Sequence, residues 1–320
     1  MTRILIHNSK TDEMAARLAD ALPGVEAVTC ETYDSLPERI RDFRPDAVYS
    51  ICFNGRAGFP RDALLGDGGP KWISVGGSGV DHLAGWDPDA VTVTNSAGVA
   101  APMMAEYVFG SILHFTLDIP GLQADQAERE WRSARLMSPL RGKTMLIVGL
   151  GHTGQEVAAR AKAFGLTVIG TRARPEPMEN VDEVHASSDL QNLWHRADFI
   201  VLSVPLLPTT RHMVNARSFA AMKPTAILVN VSRGGVMDDA ALINAMRTKT
   251  IAAAALDVFE AEPLPFDDHM WGLENVILSP HCSAVYADWA MQSFELFIEN
   301  LRRWQAGEPL KNIVNPERGY

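Results

Sequence analysis

Cysteine is scarce in this sequence. Cys30, Cys52 and Cys282 are far apart, with neither paired nor metal-type spacing, and no two histidines have the spacing of metal ligands. The pattern favours a reducing compartment over an oxidising one, so we expect a cytoplasmic protein. It also predicts no metal site.

Two further features are missing, an excess of basic charge and a long apolar run. The formal net charge is −10, which argues against nucleic acid as a partner because phosphate binding needs a basic surface. No apolar run is long enough to span a bilayer, and the N-terminus becomes polar after a few residues, as a first strand does and a signal peptide does not. We therefore expect neither a nucleic-acid nor a membrane partner.

The sequence does have length and a regular alternation of apolar runs. Its 320 residues, 47% of them hydrophobic, suffice for two domains with separate cores. Strand-like and helix-like segments alternate over residues 1–98, which predicts a small parallel α/β sheet. The predicted strands are 4–6, 25–29, 47–53, 72–75 and 91–94, the helices are 11–22 and 37–43, and a polar loop covers 54–58.

A glycine-rich turn follows the apolar run 145–148. Its glycines have G-x-G-x-x-G spacing and are Gly149, Gly151 and Gly154. A helix is predicted at 155–164 and a strand at 166–170, which completes a βαβ unit. In such a unit the glycines allow a tight turn, close approach of a pyrophosphate and close helix packing, and N–H groups such as those of His152 and Thr153 face the phosphates. The pattern predicts dinucleotide binding; the alternative is a turn that only tightens packing.

The end of the second strand indicates which dinucleotide is bound. An NAD site places an acid there, about 20 residues after the glycines, to bind the ribose 2′-hydroxyl, whereas an NADP site has a cation. Here Thr171, Arg172 and Arg174 occupy the position, and the first acid is Glu176. Guanidinium groups suit a phosphate, so we predict NADPH, with NADH a weaker possibility. The alternative is a solvated basic loop.

Further segments extend this second domain. A long apolar helix is predicted at 98–117 with Glu106 buried in its middle, and the charged segment 125–135 is predicted to lie on the surface with Trp131 as a packing anchor. Strands are predicted at 199–204, 226–231, 251–257 and 276–278, and a last helix at 288–306. The fold class is therefore α/β with two doubly wound parallel sheets. A Rossmann cofactor domain (99–285) is inserted in a flavodoxin-like substrate-binding domain (1–98 plus 286–320).

Polar residues follow three strands of the predicted cofactor sheet. They are Arg233, Glu262 and His281. Open α/β sheets bind ligands beyond the carboxyl ends of their strands, so three such residues predict a site, although each alone is typical of a solvated loop.

Several motifs, in order and spacing, resemble the D-isomer-specific 2-hydroxyacid dehydrogenase family. They are SVGGSGVDHL, NSAGVAAPMMAEY, LRGKTMLIVGLGHTG, SVPLLPTT, NVSRGGVMDDAAL, DVFEAEPLP and NVILSPHCSA. The resemblance covers the chain from about Trp72 onward. It implies a homodimer that associates through the cofactor domain, an active site in an interdomain cleft, and an Arg, Glu, His catalytic set at Arg233, Glu262 and His281.

The chemistry of keto acid reduction suits these three side chains. Arg233 can hold the carboxylate and the carbonyl oxygen through its planar fork. His281 can donate a proton to the developing alkoxide, and Glu262, if hydrogen-bonded to it, would orient the ring and favour its charged form.

The resemblance implies further contacts. A loop at Gly77, Ser78, Gly79 and Asp81 would bind the substrate carboxylate, although it is also typical of a tight turn. The stretches that would line the cofactor contain Val204, Pro205, Thr210, Val231, Ser232 and Asp257.

Some positions depart from the common pattern. Arg172 replaces the acid, as in NADP-using members such as glyoxylate and hydroxypyruvate reductases. Met104 stands where smaller residues are frequent in the family, and Cys282 and Tyr286 near His281 are particular to this sequence. A nucleophilic role for Cys282 is not expected. We therefore predict NADPH-dependent reduction of small 2-keto acids (glyoxylate, hydroxypyruvate, pyruvate) to D-2-hydroxy acids. The alternative is a dinucleotide-sensing binding protein like the C-terminal-binding corepressors, which share the family's fold and keep this set.

Overall fold

The computed structural model describes residues 1–52 and 58–319. The end of the predicted third strand at residue 53 and most of the predicted loop 54–58 lie outside the described residues. The chain divides into two compact units, Met1–Val99 with Tyr286–Tyr320, and Ala100–Val285. The second unit is thus inserted in the sequence of the first.

The first unit contains a five-stranded parallel sheet. Its strands are β1 (Arg3–His7), β2 (Glu26–Cys30), β3 (Ala47–Ser50), β4 (Trp72–Val75) and β5 (Thr92–Asn95), and its first helices are α1 (Thr11–Ala21), α2 (Leu36–Phe43) and α3 (Arg61–Leu65). The strand order β2-β1-β3-β4-β5 is that of flavodoxin-like sheets, with the change of direction between β1 and β3. Helix residues pack on both faces of the sheet, which explains why the inner strands β1, β3 and β4 are buried along nearly their whole length.

The second unit contains a seven-stranded parallel sheet. Its strands are β6 (Thr144–Val148), β7 (Thr167–Arg172), β8 (Glu183–Ala186), β9 (Phe199–Leu202), β10 (Ile227–Asn230), β11 (Ala253–Leu256) and β12 (Val276–Leu278). Its helices are α4 (Ala101–Thr116), α5 (Ile119–Glu128), α6 (His152–Ala163), α7 (Ala216–Ala221) and α8 (Asp239–Arg247). The order β12-β11-β10-β9-β6-β7-β8 is the Rossmann order with one added strand. The predicted α/β class with two parallel sheets is confirmed.

The chain returns to the first unit through α9 (Trp289–Ala306). Its buried residues Phe294, Phe297, Ile298 and Leu301 have the i, i+3, i+4, i+7 spacing of one helix face. They pack with strand residues such as Tyr49 and Trp72 in one core of the unit. Gly307, with φ of 70°, ends the helix in the left-handed conformation that glycine adopts readily.

The structure corrects several details of the sequence interpretation. Trp131 is 95% exposed, so it does not anchor packing within this chain, and Glu106 is exposed, with its carboxylate 3.7 Å from Arg160. Strand β8 and helix α5 were not predicted. Helix α6 begins at His152 rather than residue 155, because Gly151 has extended backbone and acts as the N-cap.

Candidate active site

The glycine turn after β6 has the close contacts that its spacing predicts. Gly149 has a φ of 101°, which favours glycine, and a Cβ there would lie 2.6 Å from the carbonyl oxygen of Ser203. A Cβ on Gly154 would overlap the carbonyl oxygen of Gly149, whereas a Cβ on Gly151 would meet nothing within 4 Å. The turn is therefore tightly packed at Gly149 and Gly154 and has free space at Gly151.

This open turn leads into the N-terminus of α6. No side chain caps the helix at Gly151, so the first N–H groups, including those of His152 and Thr153, are not used by a cap. Helix N-termini carry a partial positive charge that suits phosphate groups. The Thr153 hydroxyl lies 3.6 Å from the Met104 sulfur of α4. The turn and the helix end together fit the pyrophosphate of a dinucleotide.

The end of β7 carries the predicted 2′-phosphate residues. Thr171 is buried, Arg172 is partly buried and Arg174 is exposed. The Arg172 guanidinium lies 3.2 Å from the Met178 sulfur, and Glu176 is exposed. The strand end therefore presents positive charge where an NAD site has a carboxylate.

The imidazole of His281 is hydrogen-bonded to Glu262. The Nδ1–Oε2 distance is 2.8 Å, and the other carboxylate oxygen of Glu262 accepts the N–H of Phe259 at 2.9 Å. Burial raises the pKa of the Glu262 carboxyl, but the hydrogen bonds from His281 and Phe259 and the charge of Arg233 outweigh it and hold the pKa below its usual value. Glu262 is thus ionised at neutral pH, so Nδ1 of His281 must be the donor in this bond, and Nε2 is not used by Glu262.

Arg233 belongs to the same electrostatic group. Its guanidinium donates to the Ser232 carbonyl at 2.7 Å. Burial lowers the pKa of Arg233 while the Glu262 charge raises it, and the guanidinium stays protonated at any physiological pH. A Cβ on the neighbouring Gly234 would overlap the Phe259 carbonyl. The glycine therefore allows the backbone of Arg233 to approach the segment that carries Glu262.

The loop that carries His281 is held by Asp257. His281 has a φ of 51°, uncommon for a residue other than glycine, and its N–H donates to the Asp257 carbonyl at 2.9 Å. The Asp257 carboxylate is 1% exposed and accepts the N–H groups of Cys282 at 2.9 Å and Ser283 at 3.0 Å. The resemblance predicts Asp257 beside the cofactor; the structure adds that both its oxygens bind this loop.

The other predicted cofactor residues lie in two strand-end loops. Val204 packs against the glycine turn, since its Cγ1 would be 2.8 Å from a Cβ on Gly149. The Thr210 hydroxyl donates to the Pro205 carbonyl at 2.7 Å and closes its own loop. Val231 is buried, and the Ser232 hydroxyl donates to Asn230 at 2.6 Å. Their contacts with a cofactor remain predictions.

The predicted carboxylate loop belongs to the first unit. The carbonyl of Gly77 accepts the N–H of Ser96 at 3.0 Å, and that of Ser78 accepts the Asn95 side chain at 2.7 Å. The segment passes through Gly79 into a 3-10 turn that begins at Asp81. These bonds fix the backbone of the loop, and its contact with substrate remains a prediction.

The described part of the chain, residues 1–52 and 58–319, has neither a metal-binding group of side chains nor a membrane-spanning helix. Within it, no three His, Cys, Asp or Glu side chains are grouped so that they could hold a metal ion. No helix there has the length and apolar character to cross a membrane.

Comparison with known proteins places this geometry in a family. Residues 109–283 match the family model of the D-isomer specific 2-hydroxyacid dehydrogenase NAD-binding domain. The chain is 35% identical over 98% of its length to a D-3-phosphoglycerate dehydrogenase from Methanocaldococcus jannaschii, of which it spans 60%. It is 35% identical over 88% of its length to a glyoxylate reductase from Korarchaeum cryptofilum, of which it covers 85%.

A solved structure resembles the whole chain. A D-isomer specific 2-hydroxyacid dehydrogenase from Xanthobacter autotrophicus Py2, in complex with NADPH and MES, is 31% identical with a TM-score of 0.83, and the match covers 100% of both chains. The resemblance stated from the motifs is thereby confirmed, and the chain belongs to the D-isomer-specific 2-hydroxyacid dehydrogenase family.

Proposed function

We propose that this protein reduces small 2-keto acids, such as glyoxylate, hydroxypyruvate and pyruvate, to D-2-hydroxy acids with NADPH. The observation that carries the proposal is the bond between His281 and the ionised Glu262, with Arg233 in the same electrostatic group. It provides a proton donor and a carboxylate-binding cation at the strand ends of a dinucleotide-binding sheet.

Each side chain has a role that follows from its contacts. Arg233 binds the substrate carboxylate and polarises the keto oxygen, while a bound nicotinamide supplies the hydride. His281 holds a proton on Nε2 and donates it to the oxygen that becomes the alcohol. Glu262 fixes the orientation of the ring from the opposite nitrogen, at 2.8 Å.

The preference for NADPH rests on the end of β7. Arg172 and Arg174 stand where an acid would bind the ribose of NAD, and the Xanthobacter relative was solved with NADPH. We expect Arg172→Ala to lower kcat/KM for NADPH about 10- to 100-fold, since a charge-assisted hydrogen bond contributes roughly 1.5–3 kcal/mol, and to leave NADH nearly unaffected. Arg39→Ala, an exposed arginine of the other unit, is the control. An unchanged preference would contradict the assignment.

We also propose a homodimer formed through the cofactor unit. Trp131 and Leu136 are 95% and 92% exposed, and Met137 is close to half exposed. The segment is held in place by Arg135, which donates to Asp125 at 2.6 Å. Large apolar side chains on a fixed segment favour burial against a second copy. Sedimentation should give a dimer that Trp131→Ser weakens; a monomer at micromolar concentration would contradict it.

The three free cysteines support a location in the reducing cytoplasm.

The test of the activity is a panel of keto acids. NADPH oxidation should follow addition of glyoxylate, hydroxypyruvate or pyruvate, and kcat/KM ranks them. Slow turnover of every acid would contradict the enzyme assignment and support a dinucleotide-sensing binding protein, which the reductase and dehydrogenase relatives do not favour.

A further inference from the structure

A chain of hydrogen bonds runs from α4 to the loop that carries His281. The Tyr107 hydroxyl lies 2.8 Å from the Ser279 hydroxyl, and Ser279 donates to the Asp257 carboxylate at 2.5 Å. A serine hydroxyl has one hydrogen to donate, and Asp257 uses it. Tyr107 is therefore the donor to Ser279.

The chain ends on the carboxylate that holds the loop. The oxygen of Asp257 that binds Ser279 also accepts the N–H of Cys282 at 2.9 Å, and the second oxygen accepts that of Ser283 at 3.0 Å. A carboxylate 1% exposed is stable in its charged form only with such donors. Each donor that is lost or displaced therefore weakens the anchor of residues 279–283.

His281 depends on this anchor through its backbone. A residue with a φ of 51° keeps that conformation only when its surroundings determine it. Its own N–H binds the Asp257 carbonyl, so the same residue fixes both sides of the turn. The backbone conformation sets the position of the His281 Cβ, from which the ring reaches Glu262.

Tyr107 is itself well fixed. Burial, together with the charge of Asp257, raises the pKa of the Tyr107 hydroxyl, so it keeps its proton. Its neighbours Ala105 and Val108 are fully buried in the same core as Val157 of α6, the helix that begins at the glycine turn. Tyr107 thus connects a helix of the core to the loop of His281.

We propose that Tyr107 is a positioning residue for the reaction. It holds residues 279–283 through Ser279 and Asp257, so that the His281 ring keeps its bond to Glu262 and its proton in place. This inference rests on the proposed function, in which His281 is the proton donor.

The test compares Tyr107→Phe, Ser279→Ala and the double variant. Both single changes break the chain without removing bulk from Asp257 or His281. We expect kcat with NADPH and glyoxylate to fall about 3- to 10-fold in each, as loss of one net hydrogen bond predicts. The KM for NADPH should change by less than about twofold. The double variant should be no slower than about the slower single variant, because both act through one chain.

A second measurement does not depend on activity. Hydrogen exchange at the amides of Cys282 and Ser283, in protein without keto acid, should be about 3- to 10-fold faster in both single variants. Tyr49→Phe is the matched control, because it removes a buried tyrosine hydroxyl bonded to a serine, Ser293, at 3.0 Å in the other unit. It should change neither kcat nor the exchange of these two amides.

The outcomes separate this inference from the proposed function. Faster exchange together with lower kcat supports it. Unchanged exchange, or faster exchange with unchanged kcat, overturns it, as does a fully additive double variant. If the wild-type protein reduces no keto acid, the proposed function fails, and a positioning role for Tyr107 in that reaction falls with it even where the exchange result shows that it anchors the loop.

Discussion

His7 and His281 lie at strand carboxyl ends in different units, and they have opposite environments. His7 ends β1, is 0% exposed and has its Nδ1 2.8 Å from the Ser50 hydroxyl, with the ring 5.6 Å from that of Tyr33. His281 follows β12, has a side chain 46% exposed, and has its Nδ1 at the same distance from the Glu262 carboxylate. The two hydrogen bonds have the same length, so the two histidines differ in the chemical nature of the partner and in their exposure to solvent.

The difference decides which histidine can do chemistry. Burial lowers the pKa of His7 to about 4, although a hydrogen bond with the backbone at Thr32 raises it, so His7 is neutral at physiological pH and packs as a structural residue. At His281 the partner is the ionised carboxylate of Glu262, and the side chain is partly exposed. We therefore propose His281 rather than His7 as the proton donor, because His281 has both a carboxylate partner and an exposed side chain.

The largest expected effect is on the proton donor. His281→Asn keeps a polar side chain of similar shape but removes the acid, so we expect kcat for keto acid reduction to fall by about 10²- to 10⁴-fold. The affinity for NADPH, measured by fluorescence titration, should stay nearly unchanged. A variant that retains more than about a tenth of wild-type kcat would remove His281 from the mechanism.

The buried histidine should affect stability instead. The His7 pKa is lower in the folded protein than in the unfolded chain, where it is about 6.5. The contribution of this pKa difference to the free energy of unfolding is therefore fully present above pH 6.5 and is lost as the pH falls toward about 4. The whole contribution is on the order of 3 kcal/mol.

Denaturant unfolding at pH 7 and pH 4.5 measures this loss. His7→Gln does not titrate, so its free energy of unfolding should fall less between the two pH values than that of the wild type, although it starts lower. Carboxylates that titrate between these pH values change the free energy of unfolding equally in both proteins, so they cancel in the comparison. Equal pH dependence of the two proteins would show that burial does not keep His7 neutral.

The carboxylate partner should have the smallest of these effects. Glu262→Gln can still accept a hydrogen bond from His281 but has no charge, and a bond to a charged group contributes roughly 1.5–3 kcal/mol. We expect kcat to fall about 10- to 100-fold, less than in His281→Asn. Glu260→Gln, a nearby exposed carboxylate bonded to His212 at 3.1 Å, is the control. If Glu262→Gln lowered kcat no more than Glu260→Gln does, the Glu262 carboxylate would not act through His281.

The sequence predicts most of the fold because its signals are local. The G-x-G-x-x-G turn lies between an apolar strand and a helix, and Arg233 and His281 directly follow strands, so their placement needs only the strand-end rule. Helix α5 was missed although Asp118 is a local N-cap signal, because the helix has no apolar face: its buried residue is Asp125. Strand β8 is a partly exposed edge strand of four residues, too short for a periodic signal.

The supporting contacts could not be predicted because they join distant parts of the chain. Tyr107 and Ser279 are 172 residues apart, and nothing in either local pattern indicates the other. Gly234 did have a signal, the glycine pair in NVSRGGVM, but its tight contact with Phe259 depends on the packing of two loops. The prediction for Trp131 was wrong because a large apolar residue in a charged segment suggests burial. Within a single chain, Trp131 is not buried.

The most direct test of the proposed chemistry is the pH dependence of kcat/KM for keto acid reduction with NADPH, measured in the wild type and in His281→Asn. If His281 donates the proton, the wild-type value falls at alkaline pH through a single ionisation, and the remaining activity of the variant is independent of pH over the same range. The same alkaline fall in both proteins would mean that another group supplies the proton and would contradict the account.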